Sequence, residues 1–220
     1  MSVTQFIVSQ LEPMDLQTVV QKGDNWEVWG SGKYDDYATV ARIVNPATIM
    51  EVGVRHGYSI RAMLQGTWAQ SVYLIDNESA GGSLDRVASL ILEDRPTIKV
   101  RTFKMDTQTE DFEWDESKMI YPGDYIDLLH IDGNHEYEAA LRDLTMFGRL
   151  LTAWGCIILD DAKDPNVRQA GEDWAAAQPG VMRTTFIDNY NGFLIIDSYG
   201  ARDWKTVEGL PRKRELASTG

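Results

Sequence analysis

The fold is decided by the stretch Asp127-Leu128-Leu129-His130-Ile131-Asp132-Gly133-Asn134-His135 and its counterpart Gly155-Cys156-Ile157-Ile158-Leu159-Asp160-Asp161. Each segment is an apolar run that stops abruptly in acidic residues. Continuous apolar runs are typical of buried parallel strands, and an open α/β sheet carries its chemistry just beyond the carboxyl ends of those strands. The sequence therefore predicts that three carboxylates and one imidazole share a single crevice: Asp132, Asp160, Asp161 and His135.

The residue types in that crevice indicate an enzyme. Carboxylate oxygens suit a hard cation such as Mg²⁺, and a nearby histidine suits a proton acceptor. Two simpler interpretations stand beside this one: His135 as a surface residue capping a helix at Glu136, and the acidic pair as a turn and N-cap before Asp164-Pro165. Adjacent carboxylates repel one another, however, so a cation that neutralises Asp160 and Asp161 explains them better.

From Ala47 onward, short apolar runs alternate with helix-length amphipathic segments, which predicts a doubly wound α/β fold with a mainly parallel sheet. A short connection containing Asn and Gly, residues 188–192, joins the last two runs. The final strand is therefore predicted to run antiparallel in a C-terminal hairpin. The sheet is expected to have seven strands: 48–52, 72–76, 98–103, 126–131, 156–159, 183–187 and 193–197.

We divide the chain into three parts on this pattern. Residues 1–45 are predicted to form a helical cap or lid, or alternatively an extension packed on the surface, with a helix over about 36–44 that stops at Asn45-Pro46. Residues 46–200 form the catalytic, cofactor-binding domain. Residues 201–220 form a surface tail.

Composition limits the partners. With 21 basic and 34 acidic residues the net charge is −13, which argues against nucleic acid or an anionic membrane as the main partner. No apolar stretch approaches the ~20 residues of a membrane span, and the first residues lack the basic start and apolar core of a signal peptide. The single cysteine, Cys156, fits a reducing compartment. We expect a cytoplasmic protein that acts on a small molecule, alone or as a homo-oligomer.

A second set of polar residues follows the first three predicted strands. Gly53 and Gly57 lie at the first strand-to-helix turn, where glycine lets the backbone approach a ligand. This spacing lacks the G-x-G-x-x-G pattern that seats a pyrophosphate, and the carboxylate of Glu51 would repel a phosphate but could fix an amino group. Asp76, after the second strand, could accept hydrogen bonds from ribose hydroxyls, and Asp106, after the third, could meet an adenine amino group.

Each of these acids alone is more often a solvated strand-end residue or a helix cap. Their register along successive strand ends favours a nucleoside ligand that carries an ammonium group and no phosphate. S-adenosylmethionine fits this description, and we expect it to be the cofactor.

On these motifs the chain resembles the class I S-adenosylmethionine-dependent methyltransferases over residues 47–197. The segments Asp132-Gly133-Asn134-His135-Glu136-Tyr137 and Leu159-Asp160-Asp161 are similar to the metal-dependent O-methyltransferase branch. Within that branch the similarity is to macrocin O-methyltransferase-like sugar O-methyltransferases and their cephalosporin-biosynthesis relatives. The resemblance implies magnesium-assisted methylation of a hydroxyl on a sugar, a natural product or a catechol-like diol.

The resemblance also implies roles for individual residues. Glu51, Gly53 and Gly57 would line the methionine part of the cofactor, with Ser59 in the same loop, although the bulk of Arg55-His56-Gly57-Tyr58 departs from the usual small-residue run. Asp76 would hold the ribose and Asp106 would lie by the adenine. The magnesium ligands would be Asp132, Asp160 and Asp161, and the general base His135.

Two other classes of protein are compatible with the sequence. A nucleotide-binding Rossmann oxidoreductase would use a similar sheet, but the missing G-x-G-x-x-G and the antiparallel ending count against it. A cofactor-binding protein of the methyltransferase fold without methyl-transfer activity is the second alternative, which the intact acids and His135 disfavour.

Overall fold

The computed structural model describes residues 31–109, 115, 119–121, 124–180, 182–198, 202 and 204. In chain order the elements are α1 (Ser31–Val44), β1 (Thr48–Val52), α2 (Tyr58–Leu64), β2 (Ser71–Asp76), α3 (Leu84–Asp94), β3 (Lys99–Lys104), β4 (Ile126–Ile131), α4 (Tyr137–Gly148), β5 (Leu151–Asp160), α5 (Pro165–Ala177), β6 (Arg183–Ile187) and β7 (Phe193–Asp197). Residues 1–30 of the predicted cap, and nearly all of the predicted tail, lie outside the described residues.

The seven strands form one sheet in the order β3-β2-β1-β4-β5-β7-β6. Strands β1 to β5 are parallel, and β7 runs antiparallel to both β5 and β6. The predicted doubly wound fold, with its C-terminal antiparallel strand, is confirmed. Strand order reverses between β1 and β4, so the carboxyl ends of these two strands flank the crevice where ligands bind in such sheets.

Two elements are longer than the sequence predicted. Helix α1 starts at Ser31 rather than near residue 36, and β5 starts at Leu151 rather than at Cys156. The first half of β5 is partly exposed, and its pairing with β4 shifts register between Ile126 and Leu128. A half-exposed strand carries no continuous apolar run, which is why only its buried second half was visible in the sequence.

The central strands are buried on both faces because a hydrophobic layer covers each side of the sheet. One layer packs α1, α2 and α3 on the sheet through side chains such as Tyr37, Ile60 and Leu84. The other packs α4 and α5 through side chains such as Phe147 and Trp174. Polar side chains on these strands can therefore reach solvent only at the strand ends.

Within the described ranges, the helices lack the combination of length and apolar composition that crossing a membrane requires.

Candidate active site

A cavity of about 880 Å³ opens at the carboxyl ends of the parallel strands. This volume lies within the range of small-molecule and cofactor sites. Eight of the ten predicted site residues line it: Gly53, Gly57, Ser59, Asp76, Asp106, Asp132, His135 and Asp161. The other two, Glu51 and Asp160, are buried beneath the cavity wall.

The turn between β1 and α2 depends on two glycines. Gly53 has φ +83°, and a Cβ built on it would lie 1.9 Å from the backbone oxygen of Asp132. Gly57 has φ +74°, and its Cβ would lie 2.4 Å from the side chain of Val87 on α3. A side chain at either position would clash and would strain the backbone. Gly53 thus lets the ends of β1 and β4 approach each other, Gly57 lets the turn approach α3, and both glycines line the cavity.

Asp76 fixes the same turn from the end of β2. One of its carboxylate oxygens accepts hydrogen bonds from the backbone N–H groups of Val54 and Arg55, both at 2.8 Å. The other oxygen accepts the backbone N–H of Glu78. A carboxylate offers about four acceptor positions. Asp76 therefore organises the glycine turn with three of these positions and keeps about one for a ligand hydroxyl.

Glu51 belongs to a buried polar pair rather than to the cavity wall. It is fully buried, lies 2.9 Å from Nδ1 of His130, and accepts the hydroxyl of Ser59, which does line the cavity. Burial raises the pKa of Glu51, although the hydrogen bonds and charge of His130 oppose this. Any influence of Glu51 on a ligand is thus transmitted through Ser59, and its predicted cofactor contact stays a prediction.

At the other end of the cavity, Asp132, His135 and Asp161 form a cluster. Nε2 of His135 lies 3.0 Å from a carboxylate oxygen of Asp161 and 4.0 Å from one of Asp132. One potential ligand atom from each residue lies within 4.8 Å of the others, close enough for a single metal ion. The convergence of β4 and β5 ends predicted from the sequence is therefore present in the structure.

Asp160 lies beside this group of three residues, and its carboxylate contacts that of Asp132. It is 2% exposed, forms an ion pair of 2.5 Å with Lys33 of α1, and accepts the backbone N–H of Asp161 at 2.7 Å. The same Lys33 nitrogen lies 3.9 Å from Asp161, whose backbone adopts a positive φ of 53°. This backbone conformation is uncommon for a residue with a Cβ. The hydrogen bond to Asp160 thus helps to orient Asp161 toward the cavity. The role of Asp160 as a metal ligand stays a prediction.

The helix-cap part of the simpler interpretations is wrong, but the predicted turn after β5 is present, since the backbone oxygen of Asp161 accepts the N–H of Asp164 at 2.8 Å. The N-cap of α5 is Asp164, whose side chain accepts the backbone N–H of Asn166 at 2.9 Å. At the start of α4 the backbone N–H of Glu136 is bonded by Asn134, not by His135. The side chains of Asp160, Asp161 and His135 therefore do not cap these helices.

The charges of the cluster shift the pKa values of its members. Hydrogen bonds that the imidazole donates to the carboxylates of Asp132 and Asp161 raise the pKa of His135 to about 10. Burial alone would lower the pKa of Lys33, but the charges of Asp160, Asp132 and Asp161 raise it above its ordinary value. At neutral pH both Lys33 and His135 are therefore protonated. Their positive charge helps to neutralise the carboxylates, a role that we predicted from the sequence for a metal ion alone.

A third group of residues follows β3. Asp106 lines the cavity, and its carboxylate accepts the backbone N–H of Gln108 at 2.9 Å. The side-chain amide nitrogen of Gln108 donates to Asp143 of α4 and to the hydroxyl of Thr107, both at 3.0 Å. Asp143 is 1% exposed, and burial raises its pKa to about 6 although Thr107 and Gln108 oppose this.

Lys33, Gln108 and Asp143 were not predicted from the sequence. His130 was interpreted as a core residue with a hydrogen-bond partner, which is correct, but its partner Glu51 was not predicted. Lys33 and Asp143 lie on helices, far in sequence from the strand ends they serve, so no local motif marks them. The one available signal was the pair of buried ionisable groups that helix α4 and strand β4 carry on otherwise apolar faces. Such groups are buried only when they have partners.

Comparison with known proteins identifies the class of protein to which this site belongs. Residues 50–162, just over half of the chain, match the family described as "Methyltransferase domain". The chain belongs to this methyltransferase-domain family. The matched segment runs from β1 to the residues after β5, and so contains both ends of the cavity. The predicted methyltransferase resemblance is confirmed at this level, and the oxidoreductase alternative is set aside.

The chain is also similar to an uncharacterised protein of Acanthamoeba polyphaga mimivirus, with 25% identity over 123 residues. That match covers 53% of this chain and spans about half, 52%, of the viral protein.

Solved structures share the fold at low sequence identity. An O-methyltransferase from Bacillus cereus in complex with S-adenosylhomocysteine has a TM-score of 0.56 and 18% identity, covering 90% of this chain and 97% of its own. The O-methyltransferase TomG from Streptomyces achromogenes, involved in tomaymycin synthesis and bound to S-adenosylmethionine, has a TM-score of 0.58 and 16% identity, with coverages of 90% and 96%. A methyltransferase from Geobacter sulfurreducens gives 0.56 and 14%, with coverages of 89% and 95%.

Proposed function

We propose that this chain is an S-adenosylmethionine-dependent O-methyltransferase that acts on a hydroxyl of a small molecule with the help of a divalent cation, Mg²⁺ in the first place. The observation that carries the proposal is the single cavity, which joins a glycine turn ordered by Asp76 to a carboxylate–imidazole cluster. A cofactor and a hydroxyl acceptor can therefore meet in one enclosed space.

The residues present fit S-adenosylmethionine. The turn offers no run of small residues to a phosphate. Carboxylates line both ends of the cavity and suit a cationic ligand, and they stand beside two basic lining residues, Arg55 of the turn and Lys33 of α1. Gly53, Gly57 and Ser59 would hold the methionine part, Asp76 the ribose, and the residues after β3 the adenine. Several structural neighbours were solved with S-adenosylmethionine or S-adenosylhomocysteine, which supports the same choice.

The donor set also fits a divalent cation. Asp132 and Asp161 present oxygen ligands of the kind that Mg²⁺ prefers, and His135 adds a nitrogen that softer divalent ions accept. We assign Asp132 and Asp161 as ligands. Asp160, predicted as the third, would join them only if its ion pair with Lys33 opens.

The methyl group of S-adenosylmethionine is already activated, so the chain has to position the acceptor hydroxyl and remove its proton. We assign His135 as the base that takes this proton. While Asp132 and Asp161 hold a proton on its imidazole, His135 cannot accept another, because its pKa of about 10 keeps it charged at neutral pH. A cation bound to these carboxylates would release the imidazole and would polarise the acceptor hydroxyl.

The acceptor class follows from this arrangement and from the sequence resemblance. A cation held by two carboxylates keeps positions for two neighbouring oxygens, which a sugar diol, a natural product or a catechol offers. We propose an acceptor of this kind, within the macrocin-like and cephalosporin-related branch. A cytoplasmic location, the absence of nucleic acid and membrane partners, and a homo-oligomer in solution remain predictions.

The test is methyl transfer from S-adenosylmethionine to a panel of sugars, catechols and other vicinal diols, each with Mg²⁺ and with excess chelator. The proposal expects an O-methylated product that depends on the metal. A matched control is Asp85→Asn, which removes an exposed carboxylate of α3 away from the cluster. Cofactor binding without transfer to any acceptor would favour the alternative of a cofactor-binding protein without activity.

A further inference from the structure

The buried carboxylate of Asp143 has no place in the proposed chemistry, yet it touches the cavity wall. Asp143 lies on α4 and is 1% exposed. One of its oxygens accepts the amide of Gln108, and the other is buried without a hydrogen-bond partner among the described residues. A buried carboxylate is costly unless hydrogen bonds or opposite charges compensate it. The compensating hydrogen bond here comes from Gln108, in the turn after β3.

Helix α4 holds this turn at two adjacent positions. Arg142 donates to the backbone oxygen of Thr109 at 2.5 Å, and Asp143 accepts from Gln108 at 3.0 Å. The neighbouring residues Asp106 and Thr107 also line the cavity. The conformation of this part of the wall is therefore fixed by α4.

The amide of Gln108 can take only one orientation in this setting. Its nitrogen lies 3.0 Å from the Asp143 carboxylate and 3.0 Å from the Thr107 hydroxyl. An ionised carboxylate accepts hydrogen bonds and donates none, so the nitrogen, and not the oxygen, must face Asp143. Both amide hydrogens are then engaged, and the carbonyl oxygen is the group that Gln108 offers to a ligand.

The strand order places this oxygen at the nucleobase. Under the proposed function, on which this inference rests, the reacting end of the ligand lies by Asp132 and Asp161 after β4 and β5, and the ribose lies by Asp76 after β2. Because the sheet order is β3-β2-β1-β4-β5, the ligand part beyond the ribose lies at β3. That end is the base, and it meets Gln108.

We infer that Asp143 is a positioning residue for base recognition: it locks the Gln108 amide so that the cavity presents a hydrogen-bond acceptor, which selects a 6-aminopurine over a 6-oxopurine. The amino group of adenine donates to such an acceptor, whereas the oxygen of hypoxanthine would oppose it. Discrimination by one buried hydrogen bond that is made or opposed amounts to roughly tenfold to hundredfold in affinity.

The experiment compares the binding of S-adenosylhomocysteine and S-inosylhomocysteine by calorimetry at about pH 8, where the carboxylate is ionised. The wild type is expected to prefer the adenosyl ligand by roughly tenfold to hundredfold. In Asp143→Asn the new amide can pair with either the nitrogen or the oxygen of the Gln108 amide. The Gln108 amide can therefore rotate by half a turn and present its nitrogen to the ligand. The variant is expected to keep most of its adenosyl affinity and to gain inosyl affinity, so that the ratio falls severalfold. The Asp106 carboxylate, which also lines this part of the cavity, accounts for the preference that is left. Glu138→Gln, an exposed change on the same helix, should keep the wild-type ratio.

A purely structural role for Asp143 would weaken both ligands together and leave their ratio unchanged, which would overturn the inference. A wild-type ratio near one would overturn it as well. If Asp143→Asn does not fold, Gln108→Leu tests the same point, because removal of the Gln108 acceptor should lower adenosyl affinity and reduce the preference severalfold. Failure of the wild type to bind S-adenosylhomocysteine would instead count against the proposed function itself.

Discussion

The two ends of the cavity are built in different ways. At the cofactor end, Asp76 and Asp106 are bonded to backbone N–H groups of the turns they line. At the acidic end, side chains from α1, β4 and β5 hold one another through charge, as in the Lys33–Asp160 and His135–Asp161 pairs. The first end is thus shaped by the backbone before a ligand arrives. The second is a balance of charges that protons and cations can change.

This contrast separates binding from chemistry. We call the cofactor end, around Asp76 and Asp106, the backbone-ordered end. Changes there should alter cofactor affinity and stability together, because the Asp76 carboxylate serves both. We call the acidic end, around His135 and Asp161, the charge-balanced end, and changes there should alter turnover and metal response while cofactor affinity stays constant.

The largest expected effect is at the charge-balanced end, in His135→Ala. Turnover should fall by ~10²–10⁴, the usual contribution of a positioned base, because the acceptor hydroxyl loses its proton acceptor. Affinity for S-adenosylhomocysteine should stay within about twofold of wild type, since the imidazole lies with the acids rather than at the glycine turn. Steady-state kinetics and calorimetry on the same preparation measure both. Wild-type turnover in this variant would leave activation of the hydroxyl to the metal alone.

The next effect is at the backbone-ordered end, in Asp76→Ala. Affinity for S-adenosylhomocysteine should fall roughly tenfold to hundredfold, because a ribose-bonded carboxylate contributes ~1.5–3 kcal/mol. The melting temperature should fall too, since Val54, Arg55 and Glu78 lose their acceptor. Asp85→Asn controls for the loss of one negative charge. Unchanged affinity by calorimetry would remove Asp76 from the binding site.

A third prediction concerns cations at the acidic end. Mg²⁺ should raise the melting temperature of the wild type, because a ligand that binds only the folded state stabilises it by up to ~2.7 kcal/mol at a hundredfold excess over its Kd. Asp161→Asn should abolish most of this rise while the protein stays folded. Asp160→Asn should reduce it less, since Asp160 is paired with Lys33. If Mg²⁺ leaves the melting temperature of the wild type unchanged, Lys33 and His135 suffice to neutralise the carboxylates of the cluster.

The smallest expected effect is a pH dependence set by Asp143. Its pKa of about 6 in the folded protein exceeds the ~3.9 of an unfolded chain, so the folded state binds this proton more tightly. The stabilisation is fully present below about pH 4 and is lost as the pH rises through about 6. Relative to Asp143→Asn, the wild type should therefore lose about 1–3 kcal/mol between these limits. Melting curves of both proteins across this range test it, and a difference independent of pH would contradict it.

The positions of strands and strand ends could be predicted from the sequence better than the side-chain contacts of the site residues. Runs such as 126–131 are apolar because both faces of the sheet are covered, and an acid that follows such a run must lie at the strand end. This logic brought Asp132 and Asp161 together correctly. It could not separate Asp160 from Asp161, because successive side chains of an extended chain point in opposite directions only while the strand continues, and the positive φ of Asp161 ends it.

Contacts between elements that are distant in sequence could not be predicted either. The ion pair of Lys33 and the bond from Gln108 to Asp143 join a strand end or turn to a helix that packs against the sheet. Periodicity predicts which face of a helix is buried, but not which polar group on it meets a particular turn. Glu51 shows the limit most clearly, since its place at a strand end is correct and its partners are a buried histidine and serine.

The measurement that tests the account most directly is a calorimetric titration of the wild-type protein with S-adenosylhomocysteine, with Mg²⁺ and with excess chelator. We predict saturable binding of one molecule per chain with nearly equal affinity in both conditions, because the backbone-ordered end binds the cofactor and the charge-balanced end binds the cation. Binding that requires Mg²⁺ would contradict the separation of the two ends. No binding in either condition would contradict the assignment of the cavity to S-adenosylmethionine.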